Sequence, residues 1–171
     1  QMRYAKTRWA RVTGMADNSI IQNVALEYAG LGWRIFPCEP KGKKPLIKEW
    51  QKKATTDPET VREWFEKRSD ANIGLATGQV SGIVVVDVDA GKGGIESWAE
   101  LQDIHGRIDT LTSLTGGGGM HLWFQAPADE LKSTAGTIAP GIDTRAEGGY
   151  VVAPPSLHIS GQRYAWEAEG P

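Results

Sequence analysis

A run of β-branched residues that ends in two aspartates constrains the fold of this chain more than any other segment. Residues 83–89 read Ile-Val-Val-Val-Asp-Val-Asp, and a glycine-rich stretch follows directly. Such a density of valine and isoleucine is typical of a central strand. Because successive strand side chains point to opposite faces, Asp87 and Asp89 should project from the same face. The sequence therefore predicts a buried strand that presents two carboxylates on one side.

Two neighbouring carboxylates on a buried strand need a neutralising partner. Their repulsion and lost hydration are unfavourable unless a cation lies beside them, and hard oxygen ligands suit Mg²⁺ or Mn²⁺. In the structural alternative, Asp89 caps a turn and Asp87 forms a lone ion pair. Aspartate is depleted in strand interiors, which favours the metal-binding interpretation of Asp87 and Asp89.

Four consecutive glycines at 116–119 stand just before His121. Residues without a Cβ atom allow main-chain amides to face a phosphate, so Gly118 and Gly119 are candidate nucleotide contacts. The Lys-Ser/Thr ending of a P-loop is missing, which argues against an ordinary P-loop ATPase. A flexible hairpin and a histidine that is part of the core are the structural alternatives.

A third polar segment contains Asp143 and Arg145, which would share one face if the chain is extended there. An arginine at this position could bind a triphosphate with two parallel hydrogen bonds, or it could neutralise Asp143 as a structural pair. The residue types alone do not distinguish these two roles.

Residues 41–53 are rich in lysine and contain one tryptophan. Ammonium groups displace counterions from a phosphate backbone, and an indole ring can stack on an unpaired base. A solvated loop with Trp50 turned into the core is the structural alternative. We assign Lys44 to the nucleotide, and we assign the remaining lysines and the tryptophan to nucleic acid: Lys41, Lys43, Lys48, Trp50, Lys52 and Lys53.

Composition indicates one globular domain. The chain has 171 residues, of which 40% are hydrophobic, enough for one core. Residues 1–14 carry four basic and no acidic residues before Met15, so we interpret them as a basic extension, disordered or of artificial origin, and residues 15–171 as the domain. Without that extension, 15 basic residues face 21 acidic ones, so nucleic acid must be bound by local patches.

Cysteine content and hydropathy bear on the cellular location. The single cysteine excludes an internal disulfide, and no apolar run reaches the roughly 20 residues that cross a bilayer. We therefore expect a cytoplasmic protein with no membrane partner. Hydrophobic periodicity predicts helices near residues 19–29, 57–68 and 94–106, with strands between and after them.

The three polar segments together resemble the primase-polymerase domain of plasmid, phage and prophage replication proteins, in the archaeo-eukaryotic primase superfamily. Its pattern is two acids one residue apart, then a small residue and a histidine one residue apart, then an apolar residue and a third acid. Here Asp87 and Asp89, then Gly119 and His121, then Asp143 meet this pattern. The resemblance runs from about residue 25 to residue 166.

The resemblance implies a mixed α/β (α+β) fold with a largely antiparallel, RRM-like sheet flanked by helices. It implies two Mg²⁺ or Mn²⁺ ions bound by Asp87, Asp89 and Asp143, and it makes these acids and His121 catalytic. His121 would also contact the nucleotide phosphates, with Arg145 as a triphosphate clamp. Gly119 replaces a serine often found in the superfamily, so a backbone amide would make that contact. No Cys/His cluster for structural zinc is present.

The function that the resemblance implies is template-directed nucleotidyl transfer by a DNA primase and DNA polymerase. Its partners would be a single-stranded DNA template, a primer strand and (d)NTPs, and relatives continue into helical and helicase domains. Two alternatives stay open from the residues. The first is a metal-dependent nuclease or phosphohydrolase, and the second is a non-catalytic nucleic-acid-binding module.

Overall fold

The computed structural model describes residues 18–167, so the basic extension at residues 1–14 lies outside the described part of the chain. Four α-helices and nine strands alternate along the described residues. In chain order they are α1 (Asn18–Gly30), β1 (Ile35–Cys38), α2 (Trp50–Lys53), α3 (Pro58–Lys67), β2 (Asn72–Ala76), β3 (Ile83–Val88), α4 (Gly94–His105), β4 (Leu111–Leu114), β5 (Met120–Gln125), β6 (Thr134–Ala139), β7 (Ile142–Arg145), β8 (Tyr150–Ala153) and β9 (Ala165–Trp166). A short 3₁₀ helix, Ala90–Lys92, connects β3 to α4.

Local chemistry sets the bounds of the helices. At the start of α3 the Asp57 side chain accepts a hydrogen bond from the Thr60 amide at 2.9 Å, and Pro58 occupies the first turn, where its missing N–H is harmless. Helix α1 ends at Gly30, and Gly32 then turns the chain with a φ of 86°. All three predicted helices are confirmed, at 18–30, 58–67 and 94–105.

The strands form two antiparallel sheets. The smaller has the order β1-β2-β8, and the larger has the order β6-β7-β3-β5-β4-β9. Strand β3 lies between β5 and β7 and pairs antiparallel with both. The mixed α/β class with antiparallel sheets is confirmed, although the strands divide between two sheets. The run at residues 83–88 is an inner strand, as its β-branched composition predicts.

The two faces of the larger sheet have different partners. Val88 packs in a cluster with Leu122, Ile142 and the α4 residues Trp98 and Leu101. The opposite face carries Ile83 and Val85, which belong to the main core with α1, α3 and the smaller sheet. Asp87 follows these two on the same face. The carboxylate therefore lies where the apolar core beside the smaller sheet becomes polar.

Two elements are absent from the sequence prediction. Strand β6 is mostly exposed, so it lacks the alternation of apolar and polar residues that identifies a half-buried strand. Helix α2 is one short turn inside the lysine-rich segment. None of the helices between residues 18 and 167 has the length and apolar character needed to cross a membrane.

Candidate active site

Cross-strand pairing places the predicted catalytic residues side by side. Asp87 lies directly opposite His121 on β5 and directly opposite Asp143 on β7. Directly paired residues of antiparallel strands project from the same face, with their Cβ atoms about 5 Å apart. The sheet thus presents one transverse row, in the order Asp143, Asp87, His121. Asp87 lies 34 positions from His121 and 56 positions from Asp143 in the chain, and it meets them only because of this register.

Arg145 bridges the two carboxylates of this row. Its Nη2 atom lies 2.9 Å from Asp143 Oδ2 and 3.3 Å from Asp87 Oδ2. On the other side of the row, His121 Nε2 lies 3.5 Å from Asp87 Oδ1. The guanidinium is two residues from Asp143 on β7, so strand geometry directs both side chains to one face. The structural pairing of Arg145 with Asp143, one of the two alternatives from the sequence, is present and extends to Asp87.

The pKa of Asp87 is strongly lowered by its neighbours. Burial by itself would raise its pKa, but the hydrogen bond and charge of His121, together with Arg145, outweigh burial and lower the pKa to about 2. Only 20% of the Asp87 side chain is exposed, so these neighbours act with little solvent screening. Asp87 is therefore held as a carboxylate that two basic side chains contact.

Asp89 shares the backbone direction of Asp87 but not its side-chain partners. Its amide donates to Gly141 O at 2.9 Å and its φ and ψ are extended, so the chain continues the strand course past Val88. Its side chain accepts from the Gly91 amide at 2.9 Å and pairs with Lys92 at 3.2 Å. The turn-capping alternative therefore describes Asp89 in this structure, while Asp87 and Asp143 form the close acidic pair.

A cleft of about 390 Å³ lies beside Asp87 and His121 of this row. Its lining includes Asp87, His121 and Arg145, which we call the charged wall, and Trp50 and Tyr150, which we call the aromatic wall. The two aromatic rings meet edge to face, with centroids 4.8 Å apart, and Phe36 stacks beneath Trp50 at 4.7 Å. The cleft thus combines an aromatic wall with a charged wall, the two surfaces that a nucleoside polyphosphate requires.

The lysine-rich segment divides between the cleft and the solvent. Lys43 lines the cleft, and the Tyr150 hydroxyl donates to its carbonyl oxygen at 3.0 Å. Lys44, which the sequence assigns to the nucleotide, is 78% exposed, lies 3.9 Å from Glu39 and is not part of the cleft wall. The other lysines at 41, 48, 52 and 53 are exposed. Trp50 is half-buried, because it packs on Phe36 while it also faces the cleft.

The glycine run at 116–119 forms a compact turn. The Gly118 amide donates to Thr115 O and the Gly119 amide to Thr115 Oγ1, both at 3.1 Å. A Cβ atom on Gly119 would lie 2.2 Å from Val88 O, so this glycine permits a close approach of two strands. The amides of Gly118 and Gly119 therefore already have acceptors, and neither residue lines the cleft. A phosphate contact at these amides stays a prediction that requires the turn to open.

Two tyrosines of this cleft carry no functional signal in the sequence. Tyr150 begins β8, and Tyr164 is buried beside His121 with ring centroids 6.1 Å apart. Burial and then the charge of Asp87 raise the pKa of Tyr164 to about 12. Within residues 18–167, the Tyr164 hydroxyl and His121 Nδ1 are the buried side-chain polar atoms that have no hydrogen-bond partner. Both atoms belong to residues of the cleft wall, so unused hydrogen-bonding capacity is concentrated there.

The acidic pair fits a divalent cation in charge and in donor type. Asp87 and Asp143 supply hard oxygen ligands, and a cationic guanidinium already bridges them. Each carboxylate oxygen of Asp87, Asp89 and Asp143 has a donor or cation within 3.5 Å. No group of three or more His, Cys, Asp or Glu residues in the described part of the chain is arranged to hold a metal. An ion would thus require Arg145 to move and the Asp89 side chain to rotate.

Comparison with known proteins agrees with the pattern of acids and histidine. The family described as bifunctional DNA primase/polymerase, N-terminal (Prim-Pol) matches residues 25–171, which include the whole row and the cleft. No match was found among curated proteins. The match confirms the resemblance drawn from Asp87, Asp89, His121 and Asp143. The chain therefore belongs to the bifunctional DNA primase/polymerase N-terminal family.

Proposed function

We propose that this domain transfers nucleotides from (d)NTPs to the 3′-hydroxyl of a growing strand on a single-stranded DNA template, and that the reaction depends on Mg²⁺ or Mn²⁺. The observation that carries the proposal is the row of Asp143, Asp87 and His121, of which Asp87 and His121 line a cleft with an aromatic wall. Family membership supports the reaction class, DNA primase/polymerase.

The cleft suggests how a nucleotide is held. Arg145, His121 and Lys43 lie on its walls and supply positive or hydrogen-bonding groups for a triphosphate. Trp50 and Tyr150 offer ring surface to the nucleoside. Because the transferred phosphoryl group needs positioning and charge stabilisation more than covalent chemistry, a rigid row of side chains on paired strands suits the task.

The divalent ions would be held by Asp87, Asp143 and Asp89. When bound, such ions activate the attacking hydroxyl and stabilise charge on the leaving pyrophosphate. The support for Asp89 is its extended backbone one step beyond β3, where strand alternation gives it the same face as Asp87. His121 Nε2 would orient Asp87, while its Nδ1 atom is buried without a hydrogen-bond partner among the described residues.

The exposed lysines of residues 41–53 would bind the template backbone. They flank the cleft-lining Lys43 along the chain, so a template bound there would approach the aromatic wall. We propose plasmid, phage or prophage replication as the context, with helical and helicase domains as partners, because relatives with this pattern act there. The activity belongs in the cytoplasm, where the template and the nucleotides are found.

Synthesis on defined templates tests this proposal. The domain is incubated with a labelled primer on a single-stranded template, and separately with the template alone, using each nucleotide type with Mg²⁺ or Mn²⁺. We expect strand growth with the wild type and with Asp103→Asn, an exposed aspartate on α4, but not with Asp87→Asn. Both variants remove one negative charge, so only the position differs.

Two other results would replace the proposal with an alternative. Shortening of the template without growth of the primer would establish a nuclease. Tight template binding without synthesis under any metal would establish a non-catalytic module. In either case, a difference in that activity between Asp87→Asn and Asp103→Asn would show that Asp87 takes part in it.

A further inference from the structure

One nitrogen atom neutralises both members of the acidic pair. Arg145 Nη2 lies within 3.3 Å of an Oδ2 atom on Asp87 and on Asp143, and each carboxylate uses its second oxygen elsewhere. Asp143 Oδ1 accepts from the Gly136 amide at 2.9 Å, and Asp87 Oδ1 faces His121. The two Oδ2 atoms are therefore the oxygens that any second cation would have to share with Arg145.

Arg145 is the most exposed member of its ion pair with the two carboxylates. Its side chain is 35% exposed, against 20% for Asp87 and 14% for Asp143. Arg145 and Asp87 both line the cleft, whereas Asp143 is not among its lining residues. A divalent ion that bound the two Oδ2 atoms would need the position that Arg145 Nη2 occupies. Arg145 and an incoming divalent ion therefore compete for the same position.

The cleft offers Arg145 no second carboxylate. Asp87 is the single acidic residue among the described residues of its wall, and Lys43 is the other cationic one. If a divalent ion displaced Arg145, the guanidinium would lose its ion pair and stand beside a second positive charge. A bound polyphosphate would give the displaced guanidinium a new anionic partner, because phosphate oxygens can accept the parallel hydrogen bonds of a guanidinium.

We propose that Arg145 is an exchangeable internal cation. It neutralises Asp87 and Asp143 until a divalent ion takes its place, and it then pairs with the polyphosphate of the nucleotide. The ion alone leaves Arg145 without an anionic partner, and the polyphosphate alone leaves Asp87 and Asp143 without a cation, whereas both together leave every charge paired. The ion and the polyphosphate therefore bind cooperatively, by a factor of roughly 5 to 150. The inference rests on the proposed binding of a nucleotide in this cleft.

Metal binding without nucleotide tests the exchange directly. Mn²⁺ alone is titrated into the wild type and into Arg145→Gln, and free Mn²⁺ is measured by electron paramagnetic resonance. We expect Arg145→Gln to bind Mn²⁺ roughly tenfold more tightly, because the competing cation is gone. The matched control is Arg62→Gln, which removes an arginine that pairs with Glu59 on the surface of α3, and its affinity should equal that of the wild type.

Two results of the titration would overturn the exchange. Equal Mn²⁺ affinity in Arg145→Gln and the wild type would make Arg145 a phosphate contact only. Weaker binding in Arg145→Gln would mean that Arg145 holds the carboxylates in place for the metal. Arg145→Lys is a second variant that guards against a folding defect in Arg145→Gln. It keeps the positive charge but loses the planar fork of the guanidinium. Its Mn²⁺ affinity should therefore lie between those of the wild type and Arg145→Gln.

The reciprocal measurement uses inorganic tripolyphosphate in the presence of EDTA. Asp143→Asn weakens the hold on Arg145, so we expect it to bind metal-free tripolyphosphate several-fold more tightly than the wild type. Asp89→Asn is the control, because it removes the same charge from a carboxylate that pairs with Lys92 instead. If both variants gained the same affinity for tripolyphosphate, the change in net charge would explain the effect, and the exchange would be contradicted.

These measurements are independent of strand synthesis. A domain in which Arg145→Gln tightens Mn²⁺ binding, but which extends no primer, would retain the exchange and refute the proposed polymerase activity. A domain that synthesises DNA while Arg145→Gln leaves Mn²⁺ binding unchanged would retain the activity and refute the exchange.

Discussion

Acid titration of Asp87 should contribute measurably to the stability of the fold. Its pKa is lowered from 3.8 to about 2, because His121 and Arg145 favour the carboxylate more than burial disfavours it. At about 1.4 kcal/mol per pH unit, this difference corresponds to about 2 kcal/mol. A lowered folded-state pKa gives stabilisation that is complete above the unfolded-state value. The contribution should therefore be full above about pH 4 and should disappear as the pH falls toward 2.

Urea unfolding at several pH values tests this contribution. Unfolding free energies of the wild type and Asp87→Asn are measured between pH 6 and pH 2, with tryptophan fluorescence as the signal. We expect the difference between the two proteins to be constant down to about pH 4 and then to change by about 2 kcal/mol in disfavour of the wild type. Asp103→Asn, which alters an exposed carboxylate, should keep a nearly constant difference from the wild type.

One outcome would refute the electrostatic reasoning. If the difference between wild type and Asp87→Asn does not vary between pH 4 and pH 2, then the carboxylate titrates alike in the folded and unfolded chain. His121 and Arg145 would then give Asp87 no net stabilisation, because the contacts at 3.5 and 3.3 Å would only offset burial and not outweigh it. The Arg145 exchange would lose its energetic basis as well.

Three further predictions concern packing, the glycine turn and the template. Tyr28→Phe removes a buried hydroxyl that donates to a proline carbonyl at 2.7 Å, so the free energy of unfolding should fall by about 1–3 kcal/mol in urea unfolding, while primer extension persists. Gly119→Ala places a Cβ atom 2.2 Å from a carbonyl oxygen of β3, so the free energy of unfolding should fall by about 1–3 kcal/mol. In the control Gly117→Ala, the added Cβ atom meets nothing closer than 3.6 Å, so the melting temperature should stay nearly unchanged. Replacing Lys52 and Lys53 together by alanine should weaken the binding of single-stranded DNA, measured by fluorescence anisotropy. The slope of log binding constant against log salt concentration should become shallower by about 1.4, at about 0.7 per lost contact. An unchanged slope would mean that these lysines do not contact the DNA.

Local patterns in the sequence account for the elements but not for their partners. The helices and the strand at residues 83–88 follow from periodicity, caps and β-branched density. The pairing of Asp87 with His121 and Asp143 depends on register, which is fixed by the burial of whole sheet faces. Only the resemblance to a family brought these residues together before the structure did. Tyr164, for which no local motif exists, was missed for the same reason.

Side-chain partners depend on turns that the strand pattern does not describe. Alternation directs Asp89 toward the face of Asp87, yet the 3₁₀ turn after it offers the Gly91 amide and Lys92 at shorter range. Likewise, Lys43 and Lys44 are neighbours in the sequence, but the tie from Tyr150 fixes the backbone so that Lys43 lines the cleft and Lys44 faces Glu39. A lysine-rich composition cannot distinguish such neighbours.

The placement of the acids determines which groups of this domain are free to move. Asp87 lies on an inner strand with a paired strand on each side, and Asp143 lies on one of those strands, so displacing either carboxylate by its backbone would break ladder hydrogen bonds. The cations Arg145, Lys43 and Lys92 are longer and more exposed, and they change rotamer at little cost. Ligand binding should therefore rearrange the positive side chains around a fixed acidic row. Of the three aspartates, only Asp89 lies past the end of its strand, so we expect only its side chain to move together with the positive side chains.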